Sequence, residues 1–214
     1  MKKIVCEETK DLGRAASDWF NEKARYYRAQ SAFVPAGRTP VALYEVWRRE
    51  SPSYLKGMDL VQIDDVLSGT KKGIFKNFLQ EHLPEYQTQI KFIEEGAHGA
   101  DLAVLGLGLN GHVAFHEPGL DESFFSGSVR LSETTCDHLG LERGTWGVTY
   151  GAGAFMRSRA ILMMVSGKSK TLILERLLQG DSSIPATALV KHSDFTLLCD
   201  RDAANGLDGF HATA

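Results

Sequence analysis

The chain has 214 residues, 43% of them apolar and 24% charged. That length suits one well-buried α/β domain and is short for two. A formal charge of -3 argues against nucleic acid or an anionic membrane as the main partner, so any positive field for an anionic substrate must be local. Cys6, Cys136 and Cys199 are odd in number and lack metal-ligand spacing, which fits a reducing compartment. The apolar run after Met1-Lys2-Lys3 is only Ile4-Val5-Cys6, too short for a signal peptide, and no stretch is long enough to span a bilayer. The expected address is the cytoplasm.

Apolar periodicity predicts alternating helices and strands. Asp11 is placed to cap an amphipathic helix carrying Leu12, Ala15, Ala16, Trp19, Phe20 and Ala24. Ser31–Pro35 reads as a strand, and Pro40–Arg49 as a helix with Leu43, Val46 and Trp47 inward. Leu60–Ile63 is a buried strand ending in Asp64-Asp65, followed by a helix over Gly73–Leu83, a short strand over Gln89–Ile93 and a strand over Asp101–Leu107. A strand at Ala160–Ser166, a helix at Lys168–Leu178 and a strand at Phe195–Cys199 complete the pattern, with Gly206–Ala214 expected to fray. No repeat or linker divides residues 1–214. The expectation is a single α/β domain with a mostly parallel, Rossmann-like sheet covered by helices on both faces. In such a sheet the loops after Val34, Ile63 and Leu105 open on one crevice.

Those three loops carry the chemistry. In Pro35-Ala36-Gly37-Arg38-Thr39-Pro40, Thr39 is a good N-cap and Pro40 suits the first helical position. Gly37 lets the backbone approach a ligand, and free N–H groups at a helix start suit a phosphate, with Arg38 adding charge. Lys168-Ser169-Lys170 opens a second strand-to-helix junction that can supply cations to the same anion. Taken alone, each of these also reads as an ordinary helix start. Asp64-Asp65 ends an apolar strand, where alternation points one carboxylate into the crevice and the other away; a carboxylate against apolar walls keeps a raised pKa and serves as a base. In Asn110-Gly111-His112-Val113-Ala114-Phe115-His116-Glu117-Pro118-Gly119, His112 and Glu117 form a candidate acid–base pair, with Asn110 to orient the ring. His112 and His116 stand four apart, as in a zinc-binding helix, but the flanking glycines and Pro118 argue against a helix and so against a metal. The glycines at 106, 108 and 111 lack the helix and the distal acidic residue of a dinucleotide fingerprint.

The segment Leu107–Gly119 resembles the motif of glucosamine-6-phosphate deaminases (isomerases), G-x-[ND]-G-H-[IV]-[AG]-F-N-E-P. Ala36-Gly37-Arg38-Thr39-Pro40 is similar to the family's phosphate loop, Ile63-Asp64-Asp65 to its [LM]-D-E, and Thr149-Tyr150-Gly151-Ala152-Gly153 and Gly167-Lys168-Ser169-Lys170 to later blocks. The resemblance implies the sheet shared with 6-phosphogluconolactonases and ribose-5-phosphate isomerases, and no metal or organic cofactor. It implies that Asp64 takes the proton from carbon 2 of an open-chain amino sugar phosphate. His112 would open the sugar ring, oriented by Glu117 and Asn110, while Ala36, Gly37, Arg38, Thr39 and Lys170 hold the phosphate and Asp65 and Gly111 support the site. The products would be fructose 6-phosphate and ammonia. Three features depart from the family pattern. Arg38 replaces a small residue, and His116 replaces an Asn and is expected to alter which sugar hydroxyls are read. The stretch from Gly119 to Thr149 is short, with Arg130 or Arg143 left to act as a phosphate-binding arginine. The alternatives are a 6-phosphogluconolactonase, in which His112 activates water, a galactosamine-6-phosphate isomerase, and a sugar-phosphate sensor without turnover. Oligomeric state is not legible.

Overall fold

The computed structural model describes residues 1–93 and 99–207. Its framework is a seven-stranded, all-parallel sheet. In chain order the strands are β1 (Lys2–Cys6), β2 (Ser31–Val34), β3 (Asp59–Gln62), β5 (Ile90–Lys91), β6 (Leu102–Gly106), β9 (Ala160–Val165) and β10 (Phe195–Asp200). Across the sheet the order is β1-β10-β9-β6-β2-β3-β5. A second sheet of three antiparallel strands, in the order β4-β8-β7, comprises β4 (Asp64–Val66), β7 (Ser126–Arg130) and β8 (Trp146–Tyr150).

Alternation along each central strand splits the core into two layers. Ala32, Val34, Leu102, Val104, Leu162 and Met164 face one layer. Against them lie α1 (Leu12–Tyr27), through Leu12, Ala16, Trp19 and Phe20, and α2 (Val41–Glu50), through Leu43, Tyr44 and Trp47. Phe33, Ala103, Leu105, Ile161, Met163 and Val165 face the other layer, covered by α5 (Ala152–Phe155), α6 (Thr171–Leu178) and α7 (Ala186–Val190). Each large side chain removed from water this way contributes about 1.5–3 kcal/mol, which is why the strands read as continuous apolar runs. The polar end of buried Trp19 is satisfied too, its Nε1 donating to Thr196 Oγ1 at 3.0 Å across the α1–β10 contact.

The expected strands and helices at the centre are present within a residue or two. Others departed from expectation. β1 formed from the short Lys2–Cys6 run because it pairs in parallel with β10. β7, β8, α4 (Glu133–Leu139), α5 and α7 lacked a periodic signal of their own. Asp11 makes no side-chain cap on α1; its carboxylate instead accepts the Glu8 N–H at 3.3 Å. The expected helix at Lys168 starts as a 3-10 turn over Lys168–Lys170 before α6. Of the tail expected to fray, residues 208–214 lie outside the described residues. Among the described residues no helix is long and apolar enough to cross a membrane.

Candidate active site

Because the sheet is parallel, the C-terminal ends of β9, β6, β2 and β3 lie side by side on one edge. The chemistry-bearing segments leave from these ends and are tied to one another by named contacts. Thr39, after β2, meets Ser166, after β9, with 3.1 Å between their hydroxyl oxygens. Lys170 Nζ donates to the Leu107 carbonyl, after β6, at 2.6 Å. Thr149 pairs with Asp64 across β8 and β4, and its Oγ1 accepts the Phe115 N–H of the histidine loop at 3.0 Å. Tyr44 closes the ring: its hydroxyl donates to the Pro35 carbonyl at 2.5 Å, and its proton is held tightly by burial and then by the charge of Asp64. The three expected loops are therefore tied together at one edge of the sheet.

The two aspartates have opposite surroundings. They sit in β4 rather than in a loop, so their side chains point to opposite sides. Asp65 accepts four hydrogen bonds at 2.7–3.1 Å, from Gln62 Nε2, Val66 N, Phe75 N and Lys76 N. The last two belong to the first turn of α3 (Ile74–His82), so Asp65 caps that helix from a neighbouring element. Asp64 is 6% exposed. Among the described residues no hydrogen-bond donor or cation reaches its carboxylate. Burial, and then the charge of Asp65, push its pKa well above the usual carboxylate range.

The histidine loop is built around glycines. A Cβ on Gly108 would lie 2.3 Å from His112 Cδ2 and Nε2, so the ring packs flat on that backbone. Gly111 adopts φ +85°, and a Cβ there would lie 2.2 Å from Ile184; its carbonyl accepts the Ala186 N–H, which anchors the loop on α7. Ala114 holds φ +51°, a left-handed turn between His112 and Glu117. The Glu117 carboxylate accepts from Asn110 Nδ2 at 3.1 Å and from the Ser132 N–H at 3.2 Å, and its Oε2 lies 3.7 Å from His112 Nδ1. Burial alone would raise the Glu117 pKa, but the neighbouring His112 and Thr135 side chains and the Ser132 N–H outweigh it and lower it to about 2. Glu117 is thus a fixed negative charge beneath His112. Asn110 contacts Glu117 and, through Oδ1, the His112 N–H at 3.1 Å, not the ring.

Several expectations need correction. Thr39 does not cap α2; Pro40 occupies the cap position, and the Thr39 hydroxyl turns toward Ser166 instead. His116 is 1% exposed, with Nδ1 accepting the Ala152 N–H at 3.0 Å. It is a structural pin and cannot read sugar hydroxyls or join His112 in a helical pair. Arg143 pairs with Glu133 at 3.2 Å, both well exposed, and Arg130 lies on edge strand β7. Neither is tied to the crevice by a contact. Ala36, Gly37 and Thr39 are half-buried and Arg38 is exposed at its mouth, with Gly37 at φ +111°. Lys170 is half-buried, and burial lowers its pKa; it meets no carboxylate among the described residues.

Four residues escaped the sequence reading. Ser132 and Thr135 reach the Glu117–His112 pair from the start of α4, where Ser132 Oγ caps the Thr135 N–H at 3.1 Å. Ser166 faces Thr39, and Asp200, at the end of β10, accepts the Gly167 N–H at 3.0 Å and so holds the Lys168–Lys170 turn. The Ser132-x-x-Thr135 spacing was a visible helix-start signal. A surface hollow of about 320 Å³ between Glu45, Arg48, Arg49 and Glu85 touches none of the crevice residues.

Residues 72–198 match the family model described as glucosamine-6-phosphate isomerases/6-phosphogluconolactonase. The chain belongs to this family. A glucosamine-6-phosphate deaminase of Bacillus cereus (strain B4264) is 27% identical, over 95% of this chain and 88% of its own length. One from Exiguobacterium sibiricum is 24% identical, over 96% of this chain and 92% of its own. Among solved structures, a monomeric glucosamine-6-phosphate deaminase superposes with a TM-score of 0.82 at 23% identity, over 95% of this chain and 99% of that one. The 6-phosphogluconolactonase of Trypanosoma brucei does so with a TM-score of 0.78 at 17% identity, over 96% and 98% of the two chains. The family is one of enzymes acting on phosphorylated sugars, and its α/β fold is the one described above.

Proposed function

We propose that the chain is a glucosamine-6-phosphate deaminase of the cytoplasm, residues 1–214 forming one catalytic unit. The observation that carries this reading is Asp64, a buried carboxylate to which no described residue brings a hydrogen bond or a cation. A desolvated carboxylate without a counter-charge is costly unless the ligand supplies one. The ammonium at carbon 2 of an amino sugar does so; a lactone offers no such charge. With the phosphate against residues 36–39 and Lys170, the sugar would lie between Asp64 and His112. His112 Nε2, the ring nitrogen turned away from Glu117 and Thr135, takes the proton of the anomeric hydroxyl and returns it to the ring oxygen, opening the ring. Asp64 then removes the proton from carbon 2 and delivers it to carbon 1. The resulting imine at carbon 2 adds water and releases ammonia, leaving fructose 6-phosphate. The groups are held before substrate arrives, so little ordering remains to be done at the reacting centre.

A second reading, 6-phosphogluconolactonase, is favoured by the close superposition on solved lactonases; it needs only the His112–Glu117 pair, to activate water against the lactone carbonyl. The two are separated by following ammonia from glucosamine 6-phosphate and acid release from 6-phosphogluconolactone. The expected result is ammonia, lowered about 10²–10⁴-fold in Asp64→Asn and His112→Gln. Lactone hydrolysis without ammonia reverses the assignment.

A further inference from the structure

We propose that Tyr44 is a positioning residue for the phosphate: its hydroxyl, by holding the Pro35 carbonyl, turns the Ala36 N–H toward the anion. The inference rests on reading residues 36–39 as the seat of the phosphate.

The segment between β2 and α2 is held at both ends by this one residue. The Tyr44 N–H donates to the Pro40 carbonyl at 3.0 Å. The Tyr44 hydroxyl reaches back past the first turn of α2 to the Pro35 carbonyl at 2.5 Å. Pro35 is buried and Tyr44 fully so, which keeps bulk water from taking over that bond. The ring of Pro35 locks its φ and leaves ψ as its one soft dihedral, so the hydroxyl fixes where that rotation stops. In a trans peptide, which is planar, the N–H points opposite to the C=O, and no peptide among the described residues is cis. The Pro35 oxygen is drawn into the α1–α2 layer, where Tyr44 packs on Trp47 with ring centroids 5.6 Å apart. The Ala36 N–H is therefore directed away from that layer. Among the described residues no acceptor meets the N–H groups of Ala36, Gly37, Arg38 or Thr39. Backbone donors left open in this way, three of them on half-buried residues, are the groups an anion takes up. Without the hydroxyl the Pro35 carbonyl is buried and unpaired; rotating the peptide toward water relieves that and carries the Ala36 N–H off the anion.

The experiment titrates inorganic phosphate into the unmodified protein while its amide NMR resonances are followed, then repeats the titration with Tyr44→Phe, which keeps the ring and lacks the hydroxyl. In the unmodified protein the Ala36 amide is expected to be among the most strongly shifted. An Ala36 amide that saturating phosphate leaves in place overturns the inference, and this measurement needs no variant to fold. In Tyr44→Phe the phosphate Kd, and KM for the sugar phosphate, are expected to rise about tenfold. The kcat should stay within about twofold, since the lost contact holds substrate and transition state alike. Tyr86→Phe is the matched control: Tyr86 is buried in the same layer, and its hydroxyl donates to the Trp47 carbonyl at 3.1 Å. It removes a comparable bond and is expected to leave the phosphate Kd unchanged. Unaltered phosphate affinity in Tyr44→Phe, an equal loss in Tyr86→Phe, or a fall in kcat at constant KM overturns the inference. Phosphate binding does not depend on turnover. If the protein binds phosphate but releases neither ammonia nor acid from the two substrates, the functional reading falls and Tyr44 is still judged by the titration. If it binds no phosphate, the anion seat falls and this inference with it.

Discussion

The seven-stranded sheet and the three-stranded sheet divide the work of this molecule differently. In the large sheet the central strands are buried on both faces, and their side chains meet mostly apolar partners. In the small sheet β4 is only three residues long. Its surroundings include two carboxylates, a threonine on β8 that holds the histidine loop, and α4, which reaches His112. The first region sets where the strand ends are; the second decides what stands there. Most of the apolar core lies about the one and the candidate proton-moving groups about the other, so substitutions in the two regions should fail in different ways.

The sharpest contrast is expected from Phe33→Ala on β2. Phe33 is fully buried against Tyr150 and Phe155, and its loss should cost about 3–5 kcal/mol of unfolding free energy while kcat of the folded fraction is retained. Denaturant melts and active-site-normalised rates check both halves of that statement. Asp65→Ala comes next. It leaves Val66, Phe75 and Lys76 without their side-chain acceptor, which should cost about 2–3 kcal/mol and loosen the start of α3. Faster amide exchange at Phe75 and Lys76 than in α1 is the expected signature; uniform exchange across the fold would refute the capping role.

The acid side of the stability curve separates His116 from Glu117. Burial lowers the His116 pKa below its ordinary 6.5, so the unfolded chain binds that proton first and stability falls as pH drops below about 6.5. Glu117 titrates in the unfolded chain near 4.5 and in the folded protein at about 2. Its contribution is therefore complete above pH 4.5 and lost between 4.5 and 2. Glu117→Gln should flatten the lower window and leave the upper one, a difference of about 1–3 kcal/mol. Urea midpoints from pH 7 to 3 test the order. The smallest effect is expected at Trp146, which lies in the small sheet but is 49% exposed: Trp146→Thr should change stability by less than about 0.5 kcal/mol.

What could be read from the chain follows the same division. Runs such as Leu102–Leu105 and Ile161–Val165 announce themselves because a strand covered on both faces needs no polar side. So the parallel sheet and the gathering of the three loops at its C-terminal edge were accessible from pattern alone. β7 and β8 were not, since Ser126-Gly127-Ser128 carries no apolar rhythm and pairs through backbone with a partner twenty residues away. The Asp64-Asp65 pair was anticipated as one inward and one outward carboxylate. That β4 is a strand, and that Asp65 caps α3, depended on contacts made only after folding. His116 was misjudged for a related reason: a histidine beside a candidate acid–base glutamate looks functional until its ring nitrogen is found occupied by the Ala152 N–H.

One pairing in the large sheet bears on how the molecule is made. Among the described residues β1 pairs with β10 alone, with Lys2 opposite Thr196 and Cys6 opposite Asp200. During synthesis, Ile4 and Val5 must wait for β10 to emerge before they can dock. Contacts of such long sequence separation are slow to close and leave a sticky segment uncovered in the meantime. The same late-arriving strand brings Asp200, which fastens Gly167. The Lys168–Lys170 turn is therefore fastened only once β10 has been made, and a chain released before Phe195 would have neither that edge pairing nor that anchor.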